Sequence, residues 1–595
     1  MQMRVADYVA KLLQDNGITD VFSVVGGGAM HLNDAFGNSK GLHVTYTHHE
    51  QAAALAAEGY ARIEGKPAVV CVTTGPGGTN AITGVLCAWQ DSIPMVVISG
   101  QVRYETTVES TGLPLRQFGE QEHYIVDTVR SMTKYAVMLK DTTHVRYHVE
   151  KAISLAKEGR CGPCWVDIPL NIQGATIETD EQPTYVRSND QNGDNFSVER
   201  VCNALREAKR PVILAGSELQ IMGCEAKFKE FVDRTGIPVI AGTSNADIYS
   251  MEDDHYYGNF GVFGGRAGNF IVQNADCLLA IGCRYTFKQT GFDYDKFAPK
   301  AKKIAVDIDA AELKKPLVHI DIPVHCTVEK FLDSMLQADL LLQPNETWLR
   351  YCKTVKDKFP IYLEEYARSD RVNPYYFFER MNHHLADDAI MVVGNSCACV
   401  SLLQMGVHSD KQRLWGNVYC GTMGYDLPAA IGAAIAAKRP VLCVTGDGSI
   451  QMNLQELQTV VGNQLPVKII VFNNNGYHAI VQSQTNFFKR LSGCTPASGV
   501  TFPSFERLAY AYDMPYYRCS KHEDVDATLE KFLNEPLFAL CEVLEDADQP
   551  IAPKSKSKLL PNGQLISPPL HDLAPFLPEE EFTKYADFDA GKWDE

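Results

Sequence analysis

No apolar run in this sequence approaches the roughly 20 residues that a membrane span requires, so no transmembrane anchor is expected. Positive charge is scarce: 55 Lys and Arg face 73 Asp and Glu, a formal net charge of −18. That balance argues against nucleic acid or an anionic membrane as a bulk partner, although a single anionic ligand held by local dipoles is compatible with it. A leader is not expected either. Charges interrupt MQMRVADYVAKLL and no cleavage site follows, so it reads as the first amphipathic helix rather than a signal peptide. Paired cysteines are not expected. The 17 cysteines are odd in number and sit singly in apolar runs, as Cys71, Cys87, Cys277 and Cys443 do. They read as buried thiols of a reducing cytoplasm, the expected location. Cys161 and Cys164 are spaced as a CxxC, but Pro163 and the strand-like WVDIP speak against redox or zinc chemistry.

What is present is a long globular chain. Its 595 residues suggest three or four domains, and 45% hydrophobic with 22% charged residues is ordinary for such a chain. Near-continuous apolar runs recur: PAVVCVTT, PMVVISG, CWVDIP, PVILAG, CLLAIG, KKIAVDID, AIMVVG, PVLCVTGDG and VKIIVFNN. Such runs fit strands of parallel sheets buried on both faces, and helical stretches separate them. The fold class expected is α/β, with three doubly wound parallel-sheet domains and an extended C-terminal tail. The domains are placed at 1–185, 190–340 and 365–545, with the tail at 546–595. Polar stretches at 179–198 and around LLQPNETW read as connections.

The most informative segment is VLCVTGDGSIQMNLQELQTVVGNQLPVKIIVFNNNG. One strand ends in Gly446-Asp447-Gly448, and a second ends in Asn473-Asn474-Asn475-Gly476 after an intervening helix. Open α/β sheets bind ligands at these carboxyl ends. Magnesium prefers hard oxygen donors and keeps phosphate oxygens in its shell. Asp447 offers a carboxylate, Asn474 an amide oxygen and Gly476 a carbonyl. The glycines admit a diphosphate close to the backbone, and the helix starting near Ser449 adds its positive end. A lone Gly-Asp-Gly often just closes a turn. With Asn-Asn at the end of the next strand, the pair resembles the thiamine-diphosphate signature.

A second motif, THHEQAAALAAEGYAR, sets Glu50 between a strand and a helix, and TTGPGGTNAITGV follows. Thiamine diphosphate acts once its C2 proton leaves, and its aminopyrimidine removes that proton when a carboxylic acid sits on ring nitrogen N1′. Glu50 in a dry site could share that proton, and the cofactor then supplies the carbanion chemistry. Alone, Glu50 reads as a first-turn helix carboxylate; the distant signature makes it a cofactor acid. His48 and His49 read either as packing residues or as supporting donors.

Together these blocks resemble the thiamine-diphosphate enzymes, and within them the acetohydroxyacid (acetolactate) synthase branch, over roughly residues 3–545. ITDVFSVVGGGAMHLNDA, GPGGTNAITGV, DSIPMVVISGQV, ADCLLAIGCRY, AVDIDAAE, GTMGYDLPAAIGAAIA and GDGSIQMNLQELQT carry the likeness. It implies a pyrimidine-binding, a central and a diphosphate-binding domain in that order. It implies Glu50 as the activating acid and Gln121 near the reacting centre. Met423 would lie beneath the cofactor, and Asp447, Asn474 and Gly476 would hold magnesium. Gly26, Gly27, Thr74, Gly75, Pro76, Asn80, Asn395, Gly421, Gly446, Gly448, Ser449, Tyr477 and His478 would line the cofactor. In the family the acid reaches a cofactor held by a partner subunit, so a homodimer or homotetramer is implied.

Position 480 matters for outcome. Simple pyruvate decarboxylases carry a glutamate there; this chain has Ile480. Without an acid, the protonation that releases an aldehyde is slow and joining to a second carbonyl is favoured. Two departures fall on the acceptor side. The family's Val-Gln-Trp reads Val481-Gln482-Ser483, and its second arginine after Gly282-Cys283-Arg284 is Lys288. Lysine lacks the fork that grips a carboxylate. The expectation is a 2-keto acid donor, pyruvate in the first instance, and an acceptor larger than a second keto acid, such as a keto-sugar or nucleotide-linked sugar. The tail PKSKSKLLPNGQLISPPLHDLAPFLPEEEF resembles tails of relatives that act on branched-chain or surface-polysaccharide sugars. FAD without a redox role is a further expectation, with Gly261, Gly264, Arg284, Asp307 and Asp309 as its candidate residues. The alternatives are acetolactate synthase proper, a decarboxylase releasing an aldehyde, and a noncatalytic binding relative; retention of Glu50, Asp447 and Asn474 speaks against the last.

Overall fold

A computed structural model describes residues 1–187, 196–338, 340–342, 345–559 and 563–594. The core of the expected first linker, 188–195, lies outside the described residues, as do parts of the second and of the tail. Three six-stranded sheets organise the chain, and within each every neighbouring pair is parallel. All nine apolar runs named above form strands of these sheets. The residues fully buried on both faces explain why those runs lack alternation: Ala68–Val72, Met95–Gln101 and Pro163–Pro169 have no exposed position.

The first sheet has the spatial order His43–Tyr46, Asp20–Ser23, Ala68–Val72, Met95–Gln101, Pro163–Pro169, Tyr135–Met138. Its order reverses between Asp20–Ser23 and Ala68–Val72. The third sheet reverses between Ile390–Val393 and Val441–Gly446, and the central sheet between Pro211–Ala215 and Cys277–Ile281. Crevices at the carboxyl ends of such reversals are where doubly wound sheets take ligands.

The first and third sheets share one hydrophobic cluster. Helices Glu50–Glu64 and Asp426–Ala437 meet there at backbone distance. A Cβ on Gly59 would lie 2.2 Å from the Ala429 carbonyl oxygen, and one on Gly432 1.8 Å from that of Ala56. Small residues on both helices are what permit this approach.

The expected first helix forms at Val5–Asp15, preceded by a short strand, Gln2–Arg4, that pairs with Thr176–Glu178. LLQPNETW is a shorter connection than its polarity suggests, because Asn345 caps a helix at Glu346–Lys358 that buries Trp348 and Tyr351 against the central domain. The expected extended tail instead folds back, Lys558–Leu559 pairing antiparallel with Leu565–Ile566 and Lys554 with Ala574, and then adds a helix at Glu579–Ala586. Its Tyr585 and Trp593 join the buried cluster around Trp348 and Tyr351, with Tyr351 donating a 2.8 Å hydrogen bond to the Tyr585 carbonyl. None of the 17 cysteines is in a disulfide, and only Cys161 and Cys420 are partly exposed. Among the described residues no helix is long and apolar enough to cross a membrane.

Candidate active site

The reversal in the first sheet gathers one half of the site. Gly26 and Gly27 follow the strand Asp20–Ser23, and Thr74, Gly75 and Pro76 follow Ala68–Val72. The Gly26 N–H donates to Asn33 Oδ1 at 3.2 Å. Gly75 has φ +59°, and a Cβ there would lie 2.0 Å from the carbonyl oxygen of Gln121. Gln121 itself has φ +60°, so the Gly75 turn and the Gln121 loop abut through backbone. Thr74 is buried and donates to Gln101, whose amide is fixed by the Asp167 carboxylate at 3.1 Å. Burial pushes Asp167 up to about 7.

Glu50 opens the helix Glu50–Glu64 and is 9% exposed. Asn80, one turn into the helix Pro76–Asp91, donates to Glu50 Oε2 at 3.0 Å. A Cβ on Gly77 would lie 3.7 Å from the other carboxylate oxygen, so glycine leaves that edge open. The two histidines have structural contacts. His49 Nδ1 caps the helix by accepting from the Gln51 N–H at 3.1 Å, and the His48 N–H donates to Glu456 at 3.1 Å.

The reversal in the third sheet gathers the other half. Asn395 follows Ile390–Val393 and donates to the Gly421 carbonyl at 2.8 Å, tying down the loop that carries Met423. The Met423 methyl carbon lies 3.6 Å from where a Gly448 Cβ would stand, and the Tyr477 ring is 2.3 Å from the same point. Any side chain at 448 would therefore fill the cradle. Gly446 closes the strand Val441–Gly446. Ser449 donates to buried Asp426 at 2.6 Å and accepts from the Gly424 N–H at 2.9 Å.

The donor set expected for a metal is present. Asp447 is buried, its Oδ2 accepts from the Gly476 N–H at 3.1 Å, and burial pushes it up to about 7. Asn474 donates its amide N–H to Glu545 at 2.8 Å, which turns its amide oxygen toward Gly476. Glu545 is also buried and raised to about 7, and its second oxygen has no partner. Two buried carboxyls beside an amide oxygen and a backbone carbonyl fit a hard divalent cation. Glu545 and Asp426 escaped the sequence reading. Their only local signal is an acid near a strand end or before an apolar helix, which many residues share.

His478 starts the helix His478–Phe488, is buried, and is pushed down by that burial. Its Nε2 lies 2.5 Å from Gln482 Nε2. Ile480 is 47% exposed, and the exposed Ser483 turns its hydroxyl back to the Ala479 carbonyl at 2.6 Å. Lys288 does not hang free: its ammonium donates to the Val418 carbonyl, and burial pushes its pKa down.

The candidate flavin residues are not gathered round one space. Arg284 stacks on Tyr419 at 3.7 Å and shares a cavity of about 490 Å³ with Asp309, while Gly261 and Gly264 line neither that cavity nor the next. At the central sheet's reversal the crevice holds about 30 Å³ and is lined by Glu218 and Asp307. Burial pushes Glu218 up to about 8 and Asp307 to about 6. Asp309 is paired with Arg160 at 3.0 Å.

Among the described residues, no hydrogen bond joins Glu50, Asn80 or Gln121 to Asp447, Asn474 or Met423. The halves communicate through Asn453, whose amide donates to the Gly424 carbonyl at 2.7 Å and to Gln51 at 3.3 Å.

Comparison with known proteins covers the same three units. Residues 3–125 match the thiamine pyrophosphate enzyme N-terminal TPP binding domain, 198–335 the central domain and 393–543 the C-terminal TPP binding domain. The chain is 30% identical over 580 residues to acetolactate synthase 2, chloroplastic, of Nicotiana tabacum, covering 94% of this chain and 84% of that protein. It is 31% identical over 568 residues to the acetolactate synthase isozyme 1 large subunit of Escherichia coli K12, covering 92% and 95%. It is 32% identical over 546 residues to the isozyme 3 large subunit of the same organism, covering 89% and 92%.

Proposed function

Because the chain belongs to the acetolactate-synthase-like family of thiamine-diphosphate-dependent enzymes, we propose that it takes a two-carbon unit from a 2-keto acid, pyruvate in the first instance, and joins it to a carbonyl acceptor larger than a second keto acid. A keto-sugar, free or nucleotide-linked, is the acceptor class. The observation that carries this is the acceptor side itself: Ser483 is small and its hydroxyl is bound to the Ala479 carbonyl of its own helix, and the Lys288 ammonium is bound to the Val418 carbonyl. At these two positions the chain has neither the aromatic side chain nor the guanidinium fork of the family pattern.

Thiamine diphosphate supplies a carbanion centre that accepts the keto carbon and allows loss of carbon dioxide. The protein's part is to hold and move protons and to exclude water. Glu50, fixed by Asn80, would hold a proton for the cofactor's pyrimidine nitrogen. Asp447, Asn474 and the Gly476 carbonyl would hold Mg²⁺, which would supply positive charge for the cofactor's phosphates. Ile480 offers no proton, which favours joining over aldehyde release. The balance is simple: the donor's carboxyl-bearing C–C bond breaks, carbon dioxide leaves, a new C–C bond forms to the acceptor carbonyl carbon, and its oxygen takes a proton. No electrons are exchanged with a flavin in this sequence, so an FAD bound by the central domain would serve structure alone; flavin absorbance in the purified holoenzyme would show it, and a colourless holoenzyme would count against it.

A homodimer or homotetramer in the cytoplasm is part of the same reading. Exposed Val25, Met30, Met452, Phe487 and Phe488 support self-association, because large apolar side chains near both half-sites gain from a covering surface. The second reading is acetolactate synthase proper, supported by the named relatives. The test supplies holoenzyme with pyruvate, alone and with carbonyl sugars, and identifies products by mass spectrometry. Acetolactate from pyruvate alone at ordinary synthase rates refutes the larger acceptor, and free aldehyde would indicate a decarboxylase.

A further inference from the structure

The C-terminal tail brings two unpaired cations to the acceptor side. Lys554 and Lys556 alternate along an extended segment, so they project from one side of it. Lys554 donates to Gln482 Oε1 at 2.9 Å, and Lys556 to Asn486 Oδ1 at 3.2 Å. Gln482 and Asn486 lie one turn apart on the helix His478–Phe488, on the same face as His478. The registers match: two residues of extended chain span about 6.6 Å, and four residues of helix rise about 6 Å.

The segment is held in place. Lys554 exchanges two backbone hydrogen bonds with Ala574, at 2.9 and 2.8 Å. The Ser555 N–H donates to the Val262 carbonyl at 2.7 Å, and the Val262 N–H donates to the Lys288 carbonyl at 2.6 Å. Lys288, one of the two residues that depart from the family pattern, is thus anchored to the same strip as the tail lysines.

Among the described residues neither Lys554 nor Lys556 forms an ion pair, although the next in the series, Lys558, is paired with Asp572 at 3.1 Å. In a chain with net charge −18, two adjacent cations facing only neutral amides are a positive site lacking its anion. Lys554 is half-buried, and that burial, with the Lys556 charge as a lesser cause, pushes its pKa down.

We propose that Lys554 and Lys556 receive the phosphoryl groups of the acceptor. This rests on the sugar-acceptor reading above and names its charged end. Counted from His478, the two amides that hold the lysines lie about 6 and 12 Å along the helix axis. That reach spans a sugar ring, and it places a phosphoryl group away from the carbon that receives the two-carbon unit. Lysine suits this task as a compact point charge on a flexible stem.

The experiment uses full-length enzyme saturated with thiamine diphosphate and Mg²⁺. Wild type, K554Q/K556Q and K554R/K556R are compared on one keto-sugar offered free, as its phosphate and as a nucleoside-diphosphate derivative. For K554Q/K556Q the ratio of kcat/KM for phosphorylated over free acceptor falls by about tenfold or more, as expected for losing charge-assisted contacts, and K554R/K556R restores it. The phosphate and nucleotide arms show which source of phosphoryl groups is used. An unchanged ratio overturns the proposal and leaves the sugar-acceptor reading standing. Calorimetry with uridine diphosphate and with inorganic pyrophosphate gives a readout independent of turnover. If no sugar reacts, that reading fails, and wild-type binding of either probe that the Gln variant loses still identifies the anion site. Equal binding by both proteins, or binding by neither, overturns it.

Discussion

The Tyr425 hydroxyl donates a 2.5 Å hydrogen bond to Glu58, crossing from the diphosphate-binding half of the molecule to the pyrimidine-binding half. It also accepts from Trp415 Nε1 at 3.0 Å. Arg62 spans Glu58 and Asp91, both at 2.6 Å. Burial drives the Tyr425 hydroxyl well above its ordinary range and pushes Asp91 up to about 6. The network therefore sits where unmet polar groups are costly. Tyr425→Phe leaves the Glu58 oxygen and the Trp415 N–H without their partner and should destabilise by about 1–3 kcal/mol. Arg62→Met removes the cation that bridges two buried carboxyls and should destabilise more, by about 3–5 kcal/mol. Denaturant midpoints measure both; a Tyr425→Phe protein as stable as wild type would show that the tie contributes nothing.

The helix contact beside this network gives a second expectation. Gly432→Ala puts a methyl 1.8 Å from the Ala56 carbonyl oxygen, with backbone on both sides and no flexible atom to yield. A loss of at least about 1–3 kcal/mol follows from overpacking. Gly462→Ala is the contrast: it ends the helix Glu456–Gly462, and its nearest neighbour is the flexible Gln458 amide at 3.7 Å. That change should be neutral or stabilising. Equal melting temperatures for the two variants would contradict the packing argument.

Glu50→Gln keeps the shape of the side chain and its contact with Asn80 but removes the exchangeable acid. Turnover should fall by about 10²–10⁴-fold, the usual contribution of a positioned acid–base group, while thiamine diphosphate still binds. Asn80→Ala leaves the acid and frees its orientation, so a smaller loss is expected. Steady-state rates with a cofactor titration separate the two effects, and near-wild-type turnover by the Gln variant would remove Glu50 from its role.

Stability should depend on pH through the central crevice. Burial raises Glu218 from 4.5 to about 8 and Asp307 from 3.8 to about 6. Both acids hold protons in the folded state that the unfolded chain releases. Their contribution is fully present below about pH 4, is lost as pH rises, and is gone above about pH 8. Glu218→Gln keeps a neutral side chain at every pH, so its stability should decline less across that window and exceed wild type at the alkaline end. Thermal unfolding near both ends of the window checks this; parallel curves for the two proteins would exclude Glu218 as the source.

Much of this architecture could be read before folding. A parallel sheet buried on both faces needs unbroken apolar runs, and the nine such runs became nine strands. Three of the shorter strands, Tyr135–Met138, Arg413–Gly416 and Tyr516–Cys519, gave no comparable signal, because four residues at or near a sheet edge need not be uniformly apolar. The tail helix Glu579–Ala586 was equally silent: it buries only Tyr585, too little to set a helical period.

The sequence by itself determined the chemistry that each strand end can offer. Gly446-Asp447-Gly448 and Asn474 to Gly476 follow their strands directly, and a carboxylate, an amide and a glycine carry their ligand character wherever they fold. The same holds for Glu50 at its helix start. Only the tertiary structure decided which groups meet. Asn80 facing Glu50, Glu545 turning the Asn474 amide, Gly432 against Ala56, and Lys554 on Gln482 join residues that nothing local relates. The physical reason is range. Ligand chemistry and hydrophobic period are properties of short segments, whereas these pairings depend on how whole sheets and helices pack, and on where a tail of some fifty residues comes to rest.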